Sequence, residues 1–234
     1  MCVMNRITSL LVFLFTITIL LNTTVQVKAQ EEEKSSPISI GVDFMSRYVW
    51  RGTDYGSSPS IQPYMELGLG GFALGVWGAY TTNLPGVQEL DLYATYTFSD
   101  IVTIGITDYF FPDEIFGYDY YEFRGDSSAH ILEGIAIFNG LENLPLTFMV
   151  GYNFAYDSQN STYFELGYSF SILAIFLGAG NGFYTTDGKF NVVNLGISAS
   201  KDIKITEKFS LPIQASFITN PQAKKVHFVF GISL

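Results

Sequence analysis

Ser46-Arg47-Tyr48-Val49-Trp50-Arg51-Gly52 closes a segment that begins at Pro37 and alternates from Ile38 onward. Ile38, Ile40, Val42, Phe44, Tyr48 and Trp50 fall on one side, and Ser39, Gly41, Asp43, Arg47 and Arg51 on the other. A strand sends successive side chains to opposite faces, so this period of two reads as a strand with an apolar face ending in aromatics and a charged face opposite. In a soluble sandwich a second sheet would cover the apolar face; in a membrane barrel lipid covers it. The remainder of the chain decides between the two.

The pattern recurs. Ile61 to Leu69 alternates and breaks at Gly70-Gly71, a tight hairpin signal, and Phe72 to Tyr80 returns. Glu89 to Phe98 reverses at Ser99-Asp100 into Ile101 to Phe110. Leu146 to Tyr156, Tyr163 to Phe170, Ile172 to Gly180, Val192 to Ser200, Phe209 to Phe217 and Val226 to Leu234 follow. In Ala129 to Phe138, Glu133 shares a phase with Ile131, Ile135 and Ile137, which leaves that strand's facing open. The series amounts to about twelve strands of about nine to eleven residues, the length a tilted strand needs to cross a bilayer. After the first segment no run of apolar residues is long enough for a spanning helix, and open sheet edges cannot stand in lipid. The predicted fold is therefore all-β, a transmembrane antiparallel up-and-down barrel of about twelve strands.

Connection lengths support the same reading. Gly70-Gly71, Ser99-Asp100 and the turn at Ser171 are short, and they alternate with the long stretches 53–60, 111–128 and 181–190. Barrels of the bacterial outer membrane have short periplasmic turns and longer outer loops. The stretches 139–145 and 201–208 are intermediate, and Tyr120 to Arg124 is predicted to extend a strand beyond the membrane.

Arg6, the apolar run Leu10 to Leu21 and the small-residue site Val27-Lys28-Ala29 read as a secretory signal peptide, residues 1–29, cut after Ala29. A polar acidic leader, 30–36, precedes the barrel, 37–234, and is predicted to be disordered in the periplasm. Cys2 falls inside the signal, so the mature chain has no thiol for a disulfide or for metal. The full chain carries 12 Lys and Arg against 22 Asp and Glu; removing Arg6 and Lys28 leaves ten basic residues against 22 acidic. That balance excludes nucleic acid as a partner, because phosphate binding needs a basic surface. The combination of 21 Phe, 15 Tyr and 22 Gly with only 15% charged residues places too much apolar surface in alternation for one soluble core. The expected partners are the lipid bilayer of the outer membrane and the barrel-assembly machinery during insertion.

Ser46, Tyr48, Arg51 and Gly52, followed by Pro59 and Gln62 and then by the glycine-rich strand Gly75-Val76-Trp77-Gly78-Ala79-Tyr80, resemble the TorF-type porin family, also described as the uncharacterised Gcw_chp proteins. The resemblance runs over the whole mature chain, and its specific motif is short. It implies a bacterial outer-membrane β-barrel and brings no catalytic residues. Many such barrels end in an aromatic residue, whereas this chain ends in Leu234, which keeps the apolar phase of Val226, Phe228, Phe230 and Ile232.

With the apolar face in lipid, Asp43, Arg47, Arg51, Glu66, Glu89, Asp91, Glu165 and Lys225 are predicted to line the lumen. They either line a water-filled passage or pair into a plug. Small barrels fill with side chains and wide ones leave a channel, and about twelve strands lies between. Small inward residues, among them Gly41, Gly68, Ala73, Gly75, Gly151, Gly167 and Gly196, are predicted to leave room for a narrow pore. Tyr48, Trp50, Tyr80, Phe110 and Tyr156 lie near strand ends in apolar phase and are predicted to form an aromatic girdle at the membrane interface. The run Tyr118 to Tyr121 is read as loop packing or as a sugar-stacking platform. Only His130 and His227 are available as general bases, and neither has a nucleophile signature, metal spacing or a phosphate loop beside it. The expectation is a diffusion channel with a modest cation preference, without catalytic residues, metal or cofactor. The alternative is a closed barrel whose outer loops bind a partner or surface glycan.

Overall fold

A computed structural model describes residues 36–83, 87–112, 119–123 and 128–234. The predicted signal peptide lies outside the described residues, as does the predicted leader apart from Ser36. The strands are β1 (Ile38–Met45), β2 (Val49–Trp50), β3 (Thr53–Asp54), β4 (Ser60–Leu69), β5 (Phe72–Thr81), β6 (Gln88–Phe98) and β7 (Val102–Phe110). They continue as β8 (His130–Phe138), β9 (Leu146–Ala155), β10 (Thr162–Phe170), β11 (Leu173–Gly182), β12 (Gly188–Lys204), β13 (Ser210–Asn220) and β14 (Lys225–Ser233).

Twelve of these close into one antiparallel barrel in which sequence neighbours pair, and β2 with β3 forms a separate two-stranded hairpin. Closure is made by β1, which pairs along its length with β4 and at its end with β14, Asp43 opposite Ser233 and Met45 opposite Gly231. Closing the sheet gives each wall strand a partner on both sides, which pairs the backbone without water along all but the first part of β14, where β1 has already ended.

The alternation sorts as expected. Ile40 is 74% exposed and Phe228 67%, with Ile61, Leu74, Leu92, Ile106, Phe148, Leu177 and Phe217 also exposed on the outer face. Gln62, Glu89, Asp91, Asn153 and Asn194 are buried on the inner one. A closed barrel with an apolar outer face is the form of a bacterial β-barrel membrane protein. The register also fixes the facing of β8: Glu133 sits opposite Thr107, whose phase is inward, so Ile131, Ile135 and Ile137 face in with it.

Two connections differ from the sequence expectation. The stretch 201–208 is not simply a loop, because β12 runs on to Lys204 with Lys204 opposite Ser210, so the β12–β13 ladder extends into it. Of the predicted strand extension Tyr120 to Arg124, Tyr120 to Phe123 form a turn instead, the Glu122 N–H donating to the Asp119 carbonyl, and Arg124 lies outside the described residues.

Candidate functional site

The site is built by the stretch on which the strand pattern ends. Wall strand β1 stops at Met45, and Ser46 releases the chain inward. The Ser46 N–H donates to the Phe230 carbonyl at 2.8 Å, while its hydroxyl accepts the Phe230 N–H at 3.0 Å. One residue thus takes both groups of Phe230 that a continuing strand would have paired as the chain departs.

Beyond Ser46 the chain makes the β2–β3 hairpin, with Trp50 opposite Thr53. Arg51 and Gly52 are its two-residue turn, with φ of +48° and +80°, the positive pair that matches strand twist in a tight hairpin. The tip enters the lumen and docks on β12 and β13. A Cβ on Gly52 would overlap the Val193 carbonyl oxygen, and the Asn220 side-chain amide donates to the Gly52 carbonyl at 3.2 Å.

Arg51 fastens the tip. Its guanidinium donates to both carboxylate oxygens of Glu133, at 2.5 and 3.0 Å, and to the Tyr184 hydroxyl at 2.5 Å. It also lies 4.3 Å from the Trp50 ring and 4.5 Å from the Tyr163 ring. Tyr109 donates a further hydrogen bond to Glu133 at 2.7 Å. A buried charge is costly unless paired and hydrogen-bonded, and a bidentate guanidinium–carboxylate pair framed by rings meets that condition. Gly151 makes room for it, since a Cβ there would collide with the Glu133 carboxylate.

The base of the hairpin is held on the opposite wall. Tyr48 donates to Glu89 at 2.6 Å and packs between Tyr55 and Trp77. Arg47 pairs with Asp54 at 2.9 Å, and His227, facing inward as expected, stands 3.9 Å from the same carboxylate. Glu66 accepts from Tyr93 at 2.8 Å; Glu165 accepts from Tyr163 and, at 2.9 Å, from Asn194.

The predicted lumen set is therefore largely together: Asp43, Glu66, Glu89, Asp91 and Glu165 are on inward wall positions, and Arg47 and Arg51 enter on the hairpin. Lys225 begins β14 and is exposed at the strand end. The girdle needs correction. Tyr48 and Trp50 are inside the barrel, because the chain turns inward at Ser46 before they are reached. Tyr80 is exposed on the outer face. Phe110 also has outward phase, but Tyr120 and His130 pack on it, with Phe123 stacked on His130. Tyr156 lies just past β9, and its hydroxyl donates to the Phe123 carbonyl at 2.9 Å. Tyr118 lies outside the described residues.

Nor do the small inward residues simply leave space. A Cβ on Gly41 would strike the Tyr64 ring, one on Gly75 the Tyr93 ring, and one on Gly196 the Phe176 ring. These positions are seats for aromatic neighbours. What space remains lies against the hairpin. A cavity of about 430 Å³ is lined by Arg51, Glu133, Tyr163, Glu165 and Asn194. A second, of about 460 Å³, is lined by Tyr48, Gln62, Trp77, Glu89, Asp91 and Gln214. Both share Val49, Trp50, Tyr109 and Ile218, so they are neighbours separated by the hairpin.

Sequence reasoning passed over Glu133, Tyr184, Tyr163 and Tyr109 as functional residues. Glu133 did carry a signal, a lone acid in phase with three isoleucines. The tyrosines carried none, because inward tyrosines are common in barrels of this composition.

The family model described as a bacterial protein of unknown function, Gcw_chp, matches residues 29–220. No curated protein matches the chain.

Proposed function

The chain belongs to the Gcw_chp family of bacterial proteins of unknown function, and we propose that it is an outer-membrane, porin-like channel constricted by its own inward hairpin. It passes small hydrophilic solutes by passive diffusion and modestly prefers cations. The supporting observation is the hairpin with a cavity on each side of it, each bordered by inward carboxylates. Arg51 is neutralised by Glu133 and Arg47 by Asp54. Asp43, Glu66, Glu89, Asp91 and Glu165 then leave the inner wall acidic, and fixed charge in a narrow aqueous path concentrates counter-ions.

The partners in this reading are the outer-membrane bilayer and the barrel-assembly machinery, and it assigns no chemistry to the wall. His130 has both ring nitrogens engaged, with Asp108 at 2.7 Å and the Tyr120 carbonyl at 2.8 Å, so it has none left for a nucleophile.

A second reading is a closed barrel whose outer loops bind a partner or glycan. The close seating of Arg51 favours closure, and Tyr121, 84% exposed, offers a ring for stacking. Reconstitution in a planar bilayer across a salt gradient separates the two. The channel reading expects discrete conductance steps and a reversal potential of cation-preferring sign. Stable insertion without conductance refutes it in favour of the closed barrel, and anion preference refutes the charge assignment.

A further inference from the structure

The cavity of about 460 Å³ contains a pair of carboxylates that neither arginine of the hairpin neutralises. Glu89 and Asp91 stand two residues apart on β6, both inward, 2% and 6% exposed. Glu89 accepts the Tyr48 hydroxyl and lies within hydrogen-bonding reach of the Asp91 carboxyl. Among the described residues, Oδ1 of Asp91 is fully buried and has no hydrogen-bond partner, although Asp91 lines the cavity. The two arginines of the hairpin are committed elsewhere, Arg51 to Glu133 and Arg47 to Asp54, even though Arg47 also borders this space. A buried carboxylate oxygen without a donor is costly, and a protonated ligand donor would relieve that cost.

The surroundings indicate what kind of donor fits. Trp77, Trp50, Tyr48, Tyr93 and Tyr109 present aromatic surface to the same cavity, while Gln62 and Gln214 supply polar amides. Aromatic faces attract cations and also pack against an alkyl stem. Among the described residues no group of three or more His, Cys, Asp and Glu stands close enough to hold a metal ion, and two carboxylates alone fall short of the six or more oxygens that bind a hard divalent cation. An ammonium with N–H groups suits the site better, since it supplies the donor that Oδ1 of Asp91 lacks.

We propose that the Glu89–Asp91 cavity binds primary alkylammonium ions, the NH₃⁺ group donating to Asp91 and Glu89 and the alkyl stem lying against Trp77 and Trp50. The inference rests on the channel reading for the ligand's route, but binding does not require conduction. The chain has two tryptophans, Trp50 and Trp77, and both line the cavity, so intrinsic fluorescence reports directly on it.

The test uses the refolded barrel in micelles at constant ionic strength, titrated with n-butylammonium, tetramethylammonium, potassium or magnesium chloride. The expected result is a saturable fluorescence change with n-butylammonium at lower concentration than with the other three. Tetramethylammonium carries the same charge without an N–H, so it isolates the hydrogen bond. Asp91→Asn should weaken n-butylammonium binding by about tenfold or more, the loss of one charge-assisted hydrogen bond, while Glu165→Gln, in the neighbouring cavity, should not. Should Asp91→Asn fail to fold in a heat-modifiability gel, Glu89→Gln gives the same comparison. The proposal is overturned by an absent or non-saturable response, which would mean that the pair shares a proton, by equal response to tetramethylammonium or magnesium, or by unchanged binding in the variants. Binding without conductance would sink the channel reading and leave the site standing; conductance without binding would do the reverse.

Discussion

Gly52 carries two constraints that the sequence shows only as one letter. Its φ is +80°, and its α-carbon lies so close to β12 that a methyl group would overlap the Val193 carbonyl. Gly70, in the β4–β5 turn, has φ of +61°, and a methyl group added there would meet nothing within 4 Å. Both Gly→Ala changes incur the left-handed penalty, about 1–2 kcal/mol, but only Gly52→Ala must also push the hairpin off the wall. Arg51 tightens this, because its own φ of +48° is sustained by the Glu133 pair and the Tyr184 hydroxyl. Gly70→Ala should therefore leave the hairpin docked and resistant to trypsin at Arg47 and Arg51. Gly52→Ala should free it and make those bonds cleavable from the loop end while the barrel stays intact. Equal resistance of both variants would show that the close approach at Gly52 does not hold the hairpin.

At the scale of elements, the turn between β9 and β10 is organised by one carboxylate. Asp157 accepts from the Asn153 amide and from the backbone N–H groups of Gln159 and Ser161, all at 2.9 Å. Partial burial alone would raise its pKa, but these hydrogen bonds outweigh that and hold it below the ordinary aspartate value. A depressed carboxylate contributes stability above its unfolded pKa and loses it as pH falls through the folded one. In micelle NMR the Gln159 and Ser161 amide resonances should therefore titrate with a midpoint below the ordinary aspartate value of about 3.9, and Asp157→Ala should abolish the transition. A midpoint at or above that value would mean that the bonds do not stabilise the charged form. The wall strands were legible because each alternates against a single boundary, lipid outside and lumen inside, and β6 shows it cleanly. The hairpin was not, because Tyr48 and Trp50 keep the parity of Phe44 while the chain has already turned inward. Parity records which side of a strand a residue takes, not whether the strand is still in the wall. The local signs were slight: Ser46 in an apolar phase, arginines at 47 and 51, and glycine at the tip. The Arg51–Glu133 partnership joins residues 82 positions apart and left no local pattern.

For the whole molecule, the barrel and its hairpin are separable. The β1–β4 register runs from Ile38 opposite Leu67 to Met45 opposite Ser60, so the segment between those last two hangs from a complete ladder and adds nothing to its length. If Ser46 and Pro59 are retained, so that Ser46 still caps β14, residues 47–58 can be replaced by Asn-Gly, which favours the two-residue hairpin turn. Excision alone would strand Glu133, buried on β8 without its guanidinium, and an uncompensated buried charge costs about 3–5 kcal/mol when its partner is removed; Glu133→Gln removes that penalty. The excised variant carrying Glu133→Gln should insert and remain heat-modifiable, because closure through β1 and β14 is untouched. Its single-channel conductance should rise severalfold above that of the intact chain, since the two cavities would merge into one passage. Its cation preference should weaken but persist, as the wider path dilutes the field of wall carboxylates that remain in place. Conductance equal to that of the intact chain would place the constriction in the wall side chains and refute the hairpin's role. Failure to insert even with Glu133→Gln would show that the hairpin is a core of the fold, in which case closure of this barrel depends on what fills it as well as on its edges.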